Sequence, residues 1–125
     1  MARVLLYNFT DEKRRKEIKR LLFSLAIPVR EIRPEEQGVI LSEALAAGSG
    51  PLPCAEPPEH PFGDEMILMA ELSPRQADAF LNGLKRAGIR VPLKAMATPV
   101  NRGWSSLRLH EEISAEHAAL SGPRK

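Results

Sequence analysis

The chain has 125 residues, of which 43% are hydrophobic and 27% are charged. That composition excludes a disordered chain and suffices for one hydrophobic core, so we expect a single domain over residues 1–125. The net charge of +2 is too small to indicate a strong binder of nucleic acid or of a membrane surface.

Few features of the sequence bear on the cellular location of the protein. The only cysteine, Cys54, excludes a disulfide within the chain and fits a reducing compartment. The N-terminal apolar run is too short for a signal peptide, and no stretch approaches the roughly 20 apolar residues of a membrane-spanning helix. We therefore expect a cytoplasmic protein without membrane contact.

A first β-α-β unit is predicted over residues 3–33. Arg3–Asn8 has the pattern of a strand that is apolar on both faces, which is typical of a central strand covered on both sides. Thr10 is the predicted N-cap of a helix that runs to about Leu25. A second strand follows over Ile27–Ile32, and its proline places it at a sheet edge.

The helix of this unit has one strongly basic face. A solvated surface is the ordinary interpretation of such a face, and the alternative is a surface for anions or for a phosphate backbone. The candidate residues for this anion surface are Arg15, Lys16, Lys19 and Arg20.

Residues 34–64 interrupt the pattern. Gly38–Ala47 is predicted to contain a short helix closed by Gly48. Five prolines follow between residues 51 and 61, a density that permits neither a helix nor a central strand. We expect a long, proline-rich loop between two structural units.

A second β-α-β unit is predicted over residues 65–97. Met66–Ala70 is an apolar strand, and Ser73 with Gln76 forms a capping box at the start of a helix. Ile89–Met96 is the second strand of the unit, and it contains a proline, so it also belongs at an edge.

The second unit looks like a diverged copy of the first. A shift of 63 positions pairs Thr10 with Ser73 and Ile18 with Leu81, and the shift slips to 62 after the helix. Tandem units of this kind predict an α+β, ferredoxin-like fold with a four-stranded antiparallel sheet. In that fold the two first strands lie parallel in the centre, the second strands flank them, and both helices cover one face.

The other face of this sheet needs a cover of its own, because the central strands are apolar on both sides. One candidate is a helix predicted over residues 105–119, led by Trp104. The other is a second copy of the protein, packed sheet on sheet. We favour the helix, and a homodimer through the second sheet face is the alternative.

Two stretches of the second half carry a family resemblance. AGIRVPLKA (residues 87–95) and TPVNRGW (residues 98–104) resemble a bacterial family known only as a domain of unknown function, number 3783. The resemblance extends over roughly Glu65–His117 and includes the capped helix and the last acidic helix. It implies no reaction, no ligand and no catalytic residue.

Common catalytic motifs are missing from the sequence. It contains no GxxxxGK[ST], GxGxxG or GxSxG pattern. Cys54 and His60 could form a nucleophile pair or half of a metal site, but an ordinary loop thiol is the simpler interpretation. His110 and His117 are seven residues apart rather than at the i,i+4 spacing of a helical metal site, so they indicate a solvated face. We predict no catalytic residue, no metal and no cofactor.

The turn that ends on the only tryptophan is the best candidate for a binding patch. A tryptophan beside a cation is a common recognition element. In the alternative interpretation, the tryptophan seals the core and starts the last helix. The candidate binding residues are Lys94, Asn101, Arg102 and Trp104.

These features predict a non-catalytic regulatory module that binds a small ligand or a protein. The alternative is a nucleic-acid-binding module that uses the basic first helix. Base stacking in the manner of an RNA-recognition sheet is disfavoured, because Tyr7 is the single aromatic residue on the predicted central strands.

Overall fold

The computed structural model describes residues 2–53 and 56–121, with side chains up to residue 118. Over those residues the fold is α+β. The strands are β1 (Arg3–Tyr7), β2 (Val29–Ile32), β3 (Met66–Ala70) and β4 (Leu93–Met96). The α-helices are α1 (Glu12–Ser24), α2 (Leu41–Ala47), α3 (Pro74–Arg86) and α4 (Ser106–Ser121), and short 3-10 helices lie at Pro34–Glu36 and Asn101–Gly103. None of these helices is long and apolar enough to cross a membrane.

The four strands form a mixed sheet in the order β2-β1-β3-β4. The central pair, β1 and β3, is antiparallel, and each edge strand is parallel to the first strand of its own unit. The prediction of two central first strands and two edge second strands is confirmed. The edge strands are shorter than predicted, because they begin after Pro28 and Pro92 rather than containing them. The predicted antiparallel sheet is wrong, because the sheet is mixed, and so the ferredoxin-like arrangement is not confirmed. The prediction that the two first strands lie parallel is also wrong, since β1 and β3 are antiparallel.

The difference arises in how each unit returns to the sheet. A β-α-β crossover makes its second strand parallel to its first, whether the second strand lies beside the first or one position away. Here both crossovers return to the adjacent position, so β2 pairs with β1 and β4 pairs with β3. Each unit is therefore a closed β-α-β element, and the β1–β3 pairing joins the two.

The repeat is present, but its register differs from the predicted one. Asp11, not Thr10, caps α1 by accepting a hydrogen bond from the Lys13 N–H at 3.0 Å, and Ser73 caps α3. The helices thus align with a shift of 62, which places buried Ile18 opposite buried Phe80. Exposed Thr10 has no counterpart in the second unit, so the shift already changes from 63 to 62 before the helix.

The first layer of the fold consists of α1 and α3, which cover the same face of the sheet as predicted. Its core contains residues from both units, namely Val4, Leu6, Ile18, Leu22, Ile67, Met69, Phe80 and Leu84. A Cβ atom at Gly83 would lie 2.6 Å from the Leu21 side chain, so the missing side chain permits close packing of the two helices. The ion pair between Arg14 and Glu65, at 2.7 Å, also links the units.

The second layer covers the other face of the sheet and is formed by α2, α4 and the end of the proline-rich loop. Its core includes Leu5, Tyr7, Leu41, Ala44, Met66, Leu68, Leu93 and Leu109, with Leu45, Phe62, Trp104 and Ile113 packed around them. The C-terminal helix is thus confirmed as a cover, although α2 shares the task. Because Leu5, Tyr7, Met66 and Leu68 are buried within one chain, a second copy is not needed to cover the central strands on this face.

Buried polar contacts fix the second layer. Gln37 is fully buried and makes two hydrogen bonds to the backbone of Phe62, at 3.0 and 3.1 Å. The Tyr7 hydroxyl lies 2.7 Å from the Ser106 hydroxyl, and burial raises the pKa of Tyr7 well above its usual value. These contacts attach the loop and the start of α4 to the sheet.

Candidate functional site

A cleft of about 570 Å³ lies between β4 and α4, and we call it the β4 cleft. One wall is the edge strand together with the residues on either side of it. The other wall is the outer part of α4. The cleft is lined by Pro92, Leu93, Lys94, Ala95, Met96, Thr98, Asn101, Trp104, Leu109, Glu112, Ile113, Glu116 and His117.

The floor of the cleft is held by the turn between β4 and α4. Asn101 is buried, and its side-chain oxygen accepts a hydrogen bond from the Thr98 N–H at 2.8 Å. Its amide nitrogen donates to the Met96 carbonyl at 2.9 Å, and the Thr98 hydroxyl accepts from the Asn101 N–H at 3.0 Å. Asn101 therefore shapes the cleft through the backbone, because its own side-chain groups are already bonded.

Trp104 follows this turn and faces two environments. Its carbonyl accepts a hydrogen bond from the Leu41 N–H at 2.8 Å, which joins the turn to the start of α2. Its half-buried ring packs against the second-layer core and also lines the cleft. The Arg108 guanidinium lies 4.7 Å from the ring centroid, in a cation–π arrangement. The ring thus packs against the core, lines the cleft and carries the Arg108 guanidinium over its face.

Lys94 lies on the edge strand and reaches back along its own chain. Its ammonium donates a hydrogen bond to the Val91 carbonyl. Burial lowers the pKa of Lys94, and the nearby charge of Arg90 lowers it further. A short strand that carries a lysine, with Pro92 before it and its Met96 carbonyl already bonded, is protected against pairing with another strand. The edge is therefore a wall of the cleft rather than a template for strand addition.

The cleft lies in the half of the chain that carries the family resemblance. Residues 65–120 match the model of the family described as Domain of unknown function (DUF3783). The predicted resemblance is thereby confirmed. Among curated proteins, no match to the chain is found. The matched region contains β3, α3, β4 and α4, and therefore every residue that lines the cleft.

The structure separates one of the four predicted binding residues from the other three. Lys94, Asn101 and Trp104 line the β4 cleft. Arg102 instead lines a different cavity, where its guanidinium lies 3.4 Å from the Glu71 carboxylate. The residues of the turn are adjacent in sequence, but successive side chains leave it on opposite sides.

The predicted anion surface on α1 is partly neutralised by carboxylates. Glu31 of β2 lies 3.1 Å from Lys19 and 3.6 Å from Arg15. Lys16 lies 3.8 Å from Glu12 within the helix. Exposed Arg20 forms no ion pair within the described part of the chain. Three of the four candidates are thus less available to a bound anion than the sequence pattern indicates.

Several residues of the cleft and its surroundings were not predicted from the sequence. Glu112 and Glu116 are one helical turn apart and face the cleft, a spacing that could have indicated a shared wall. His110 was expected on a solvated face, but its side chain is 17% exposed, stacks on Phe62 at 4.0 Å and lies 2.8 Å from Asp64. That expectation is wrong, because the proline-rich loop folds over the histidine.

The remaining chemical predictions involve the proline-rich loop and metals. Cys54 lies outside the described residues, so the arrangement of Cys54 and His60 stays a sequence-based hypothesis. Within residues 2–53 and 56–121, no group of three or more His, Cys, Asp or Glu side chains could hold a metal ion.

Proposed function

We propose that this protein is a non-catalytic regulatory module that binds a small ligand in the β4 cleft. The observation that carries the proposal is the cleft itself, which combines an indole face, aliphatic side chains and a few fixed polar groups. Its volume of about 570 Å³ lies within the range of roughly 300–1,000 Å³ that is typical of small-molecule sites.

The lining of the cleft favours a ligand with an apolar body and a basic group. Trp104, Leu109 and Ile113 supply the apolar surface. Glu112 and Glu116 are exposed at the α4 wall and have no ion pair among the described residues. Two carboxylates without an ion pair attract a cation, since their charges stabilise positive charge.

Binding without catalysis is supported by the polar groups of the cleft. Thr98 is the one hydroxyl-bearing residue among the described lining residues, and its oxygen accepts the Asn101 N–H. Lys94 is bonded to a backbone carbonyl. Neither group lies in a hydrogen-bonded pair of nucleophile and base, which acyl-transfer chemistry would need.

The test uses the single tryptophan of the chain as a reporter. Native mass spectrometry of freshly purified protein should show extra retained mass, and removal of the ligand should change the Trp104 fluorescence. Ala95→Leu, which adds volume inside the cleft, should abolish retention. Ala115→Leu makes the same change on an exposed residue of α4 and should leave it intact. A bare monomer that gives no fluorescence response to a library of small basic aromatic compounds would contradict the proposal.

The alternative of nucleic-acid binding by α1 has weaker support, because Glu31 and Glu12 already pair with its basic residues. A salt-dependent mobility shift with RNA or DNA would favour it, and no shift at low salt would exclude it. The proposed cytoplasmic location rests on the single cysteine. Self-association is not needed to cover the central strands on the second sheet face.

A further inference from the structure

A second cavity, of about 380 Å³, lies on the other side of the Asn101 turn from the β4 cleft. It is bounded by the start of β1, the C-terminal part of α2 and Arg102, and we call it the Gly48 cavity. Its lining residues are Arg3, Ser42, Leu45, Ala46, Gly48, Glu71 and Arg102. Two guanidinium groups therefore face one small space.

Arg3 is the group in this cavity that lacks a counterion. Arg3 is half-buried, and its guanidinium forms no hydrogen bond or ion pair with any residue in the described ranges. A half-buried cation without a partner is costly, because it has lost part of its hydration and gained no compensating charge. The arrangement thus leaves room for an anion at this position.

The backbone acceptors that could have satisfied Arg3 are occupied by another arginine. Arg30 of β2 donates from Nη1 to the Gly48 carbonyl at 2.8 Å and also to the Gly50 carbonyl. Arg30 thereby holds the loop after α2 in place and adds a third positive charge next to the cavity. The positive charges at the cavity outnumber the negative ones. Among the described residues that line it, Glu71 supplies the one carboxylate, and the positive charges come from Arg3, Arg102 and the neighbouring Arg30.

Gly48 makes the approach of Arg3 feasible. Its φ of 62° and ψ of −120° are accessible in practice only to glycine. A Cβ atom at this position would also lie 3.4 Å from Arg3 Nη2. The glycine therefore ends α2 and keeps the wall beside the guanidinium free of side-chain atoms.

We propose that the Gly48 cavity binds the oxyanion group, a phosphate or a carboxylate, of a small molecule. The planar fork of a guanidinium donates two parallel hydrogen bonds to such a group, and two forks that face one cavity can hold it from two sides. The Ser42 hydroxyl is a further donor on the α2 side. This site is distinct from the β4 cleft and goes beyond the function proposed for it.

Glu71 acts as an internal competitor at this site. Its carboxylate lies 3.4 Å from Arg102, so an incoming oxyanion has to share or displace that contact. Arg3→Gln and Glu71→Gln should consequently have opposite effects on anion affinity. Loss of Arg3 removes one guanidinium that donates to the anion. Loss of the Glu71 charge releases Arg102 from its ion pair and lowers the repulsion between Glu71 and the bound oxyanion.

The experiment titrates the whole protein with inorganic phosphate and, separately, with acetate at constant ionic strength. The backbone amide signals of Gly48 and Arg102 are followed by NMR. We expect a saturable shift of these signals with at least one of the two anions. Arg3→Gln should weaken binding about tenfold or more, and Glu71→Gln should strengthen it severalfold. Arg75→Gln, which removes the same charge from an exposed position on α3, should change little.

The two anions distinguish the sources of the oxyanion. A response to phosphate alone assigns a phosphate group, and a response to acetate alone assigns a carboxylate. The absence of a saturable response to both anions, or an equal loss in Arg3→Gln and Arg75→Gln, would overturn the proposal. If Arg3→Gln does not fold, Arg3→Lys keeps the charge and removes the fork, and undiminished binding by that variant would also overturn it.

Discussion

The two layers that cover the sheet are built in different ways. The first layer comes from the repeat: α1 and α3 occupy equivalent positions and meet where Gly83 accommodates Leu21. The second layer comes from segments outside the repeat, and it relies on α2, α4 and the end of the proline-rich loop. Buried polar contacts, such as the pair of Tyr7 and Ser106, occur in the second layer.

The difference shows where binding sites arise in such a fold. The helices α1 and α3 are equal in length and pack closely where Gly83 faces Leu21, and the cavity beside this contact, of about 350 Å³, is smaller than the β4 cleft. Helices of unequal length, such as α2 and α4, meet the sheet at its edges and leave spaces beside it. The β4 cleft borders α4, and the Gly48 cavity borders α2. Both candidate sites therefore belong to the layer that the repeat did not supply.

The largest expected loss of stability comes from truncating a buried leucine, and we compare one such leucine from each layer. Leu22 and Leu109 are at most 1% exposed, but only Leu109 borders the β4 cleft. Leu22→Ala leaves a closed void, so we expect a loss of about 4 kcal/mol in the free energy of unfolding. Leu109→Ala opens into the cleft, where water can enter, so we expect about 3 kcal/mol. Urea denaturation measures both values. A larger loss for Leu109→Ala would contradict the distinction between the layers.

The second prediction concerns the buried hydroxyl pair of the second layer. Tyr7→Phe leaves Ser106 without its partner at 2.7 Å, and we expect a loss of about 1–2 kcal/mol in the free energy of unfolding at neutral pH. Burial raises the pKa of Tyr7 above its usual value of about 10, so the native state resists ionisation and the unfolded state does not.

The pH dependence of the Tyr7 contribution to stability follows from the upward shift of its pKa. The Tyr7 contribution is complete below pH 10 and is lost as the pH rises above it, because the unfolded chain then releases a proton that the native state keeps. The unfolding free energies of the wild type and Tyr7→Phe should differ at pH 7 and should approach each other as the pH rises above 10. Because the chain has a single tyrosine, tyrosinate absorbance of the native protein gives an independent check. Ionisation near pH 10 without unfolding would contradict the prediction.

The smallest expected loss of stability comes from removing a helix cap, and we compare one cap from each layer. Ser73 caps α3 with a complete capping box. The Ser73 hydroxyl accepts a hydrogen bond from the Gln76 N–H at 3.1 Å, and the Gln76 side-chain oxygen accepts one from the Ser73 N–H at 3.0 Å. Ser105 accepts the Arg108 N–H at 3.2 Å at the start of α4. We expect Ser73→Ala to cost about 1 kcal/mol and Ser105→Ala about 0.5 kcal/mol. Thermal unfolding of the two variants tests this order, and equal losses would contradict it.

The sequence predicted the elements of the fold better than their arrangement. Local signals identified β3 with the observed bounds, the capping box of α3 and the closure of α2 at Gly48. The strand directions were missed, because a proline at an edge strand and an apolar centre satisfy either topology equally well. The cap of α1 was misplaced because Thr10 and Asp11 are both good caps, and only the packing of Ile18 selects between them.

The candidate sites were predicted only where a local signal exists. The turn before Trp104 is recognisable from its own residues, and its side chains do line the β4 cleft, with the exception of Arg102. Arg3 gave no signal, because its environment is formed by Gly48 and Glu71, which lie far away along the chain. Such a site depends on the topology that the sequence pattern left open.

The antiparallel pairing of β1 with β3 has a consequence for the internal symmetry of the chain. Leu5 lies directly opposite Leu68, its counterpart in the repeat, so an approximate two-fold axis passes between them. A protein that consisted of the matched region alone would leave the β1 side of β3 as an open edge. A second copy related by that axis would fill the edge with its own β3. The present chain thus pairs its two repeat units within one chain in the geometry that a symmetric dimer of single units would have.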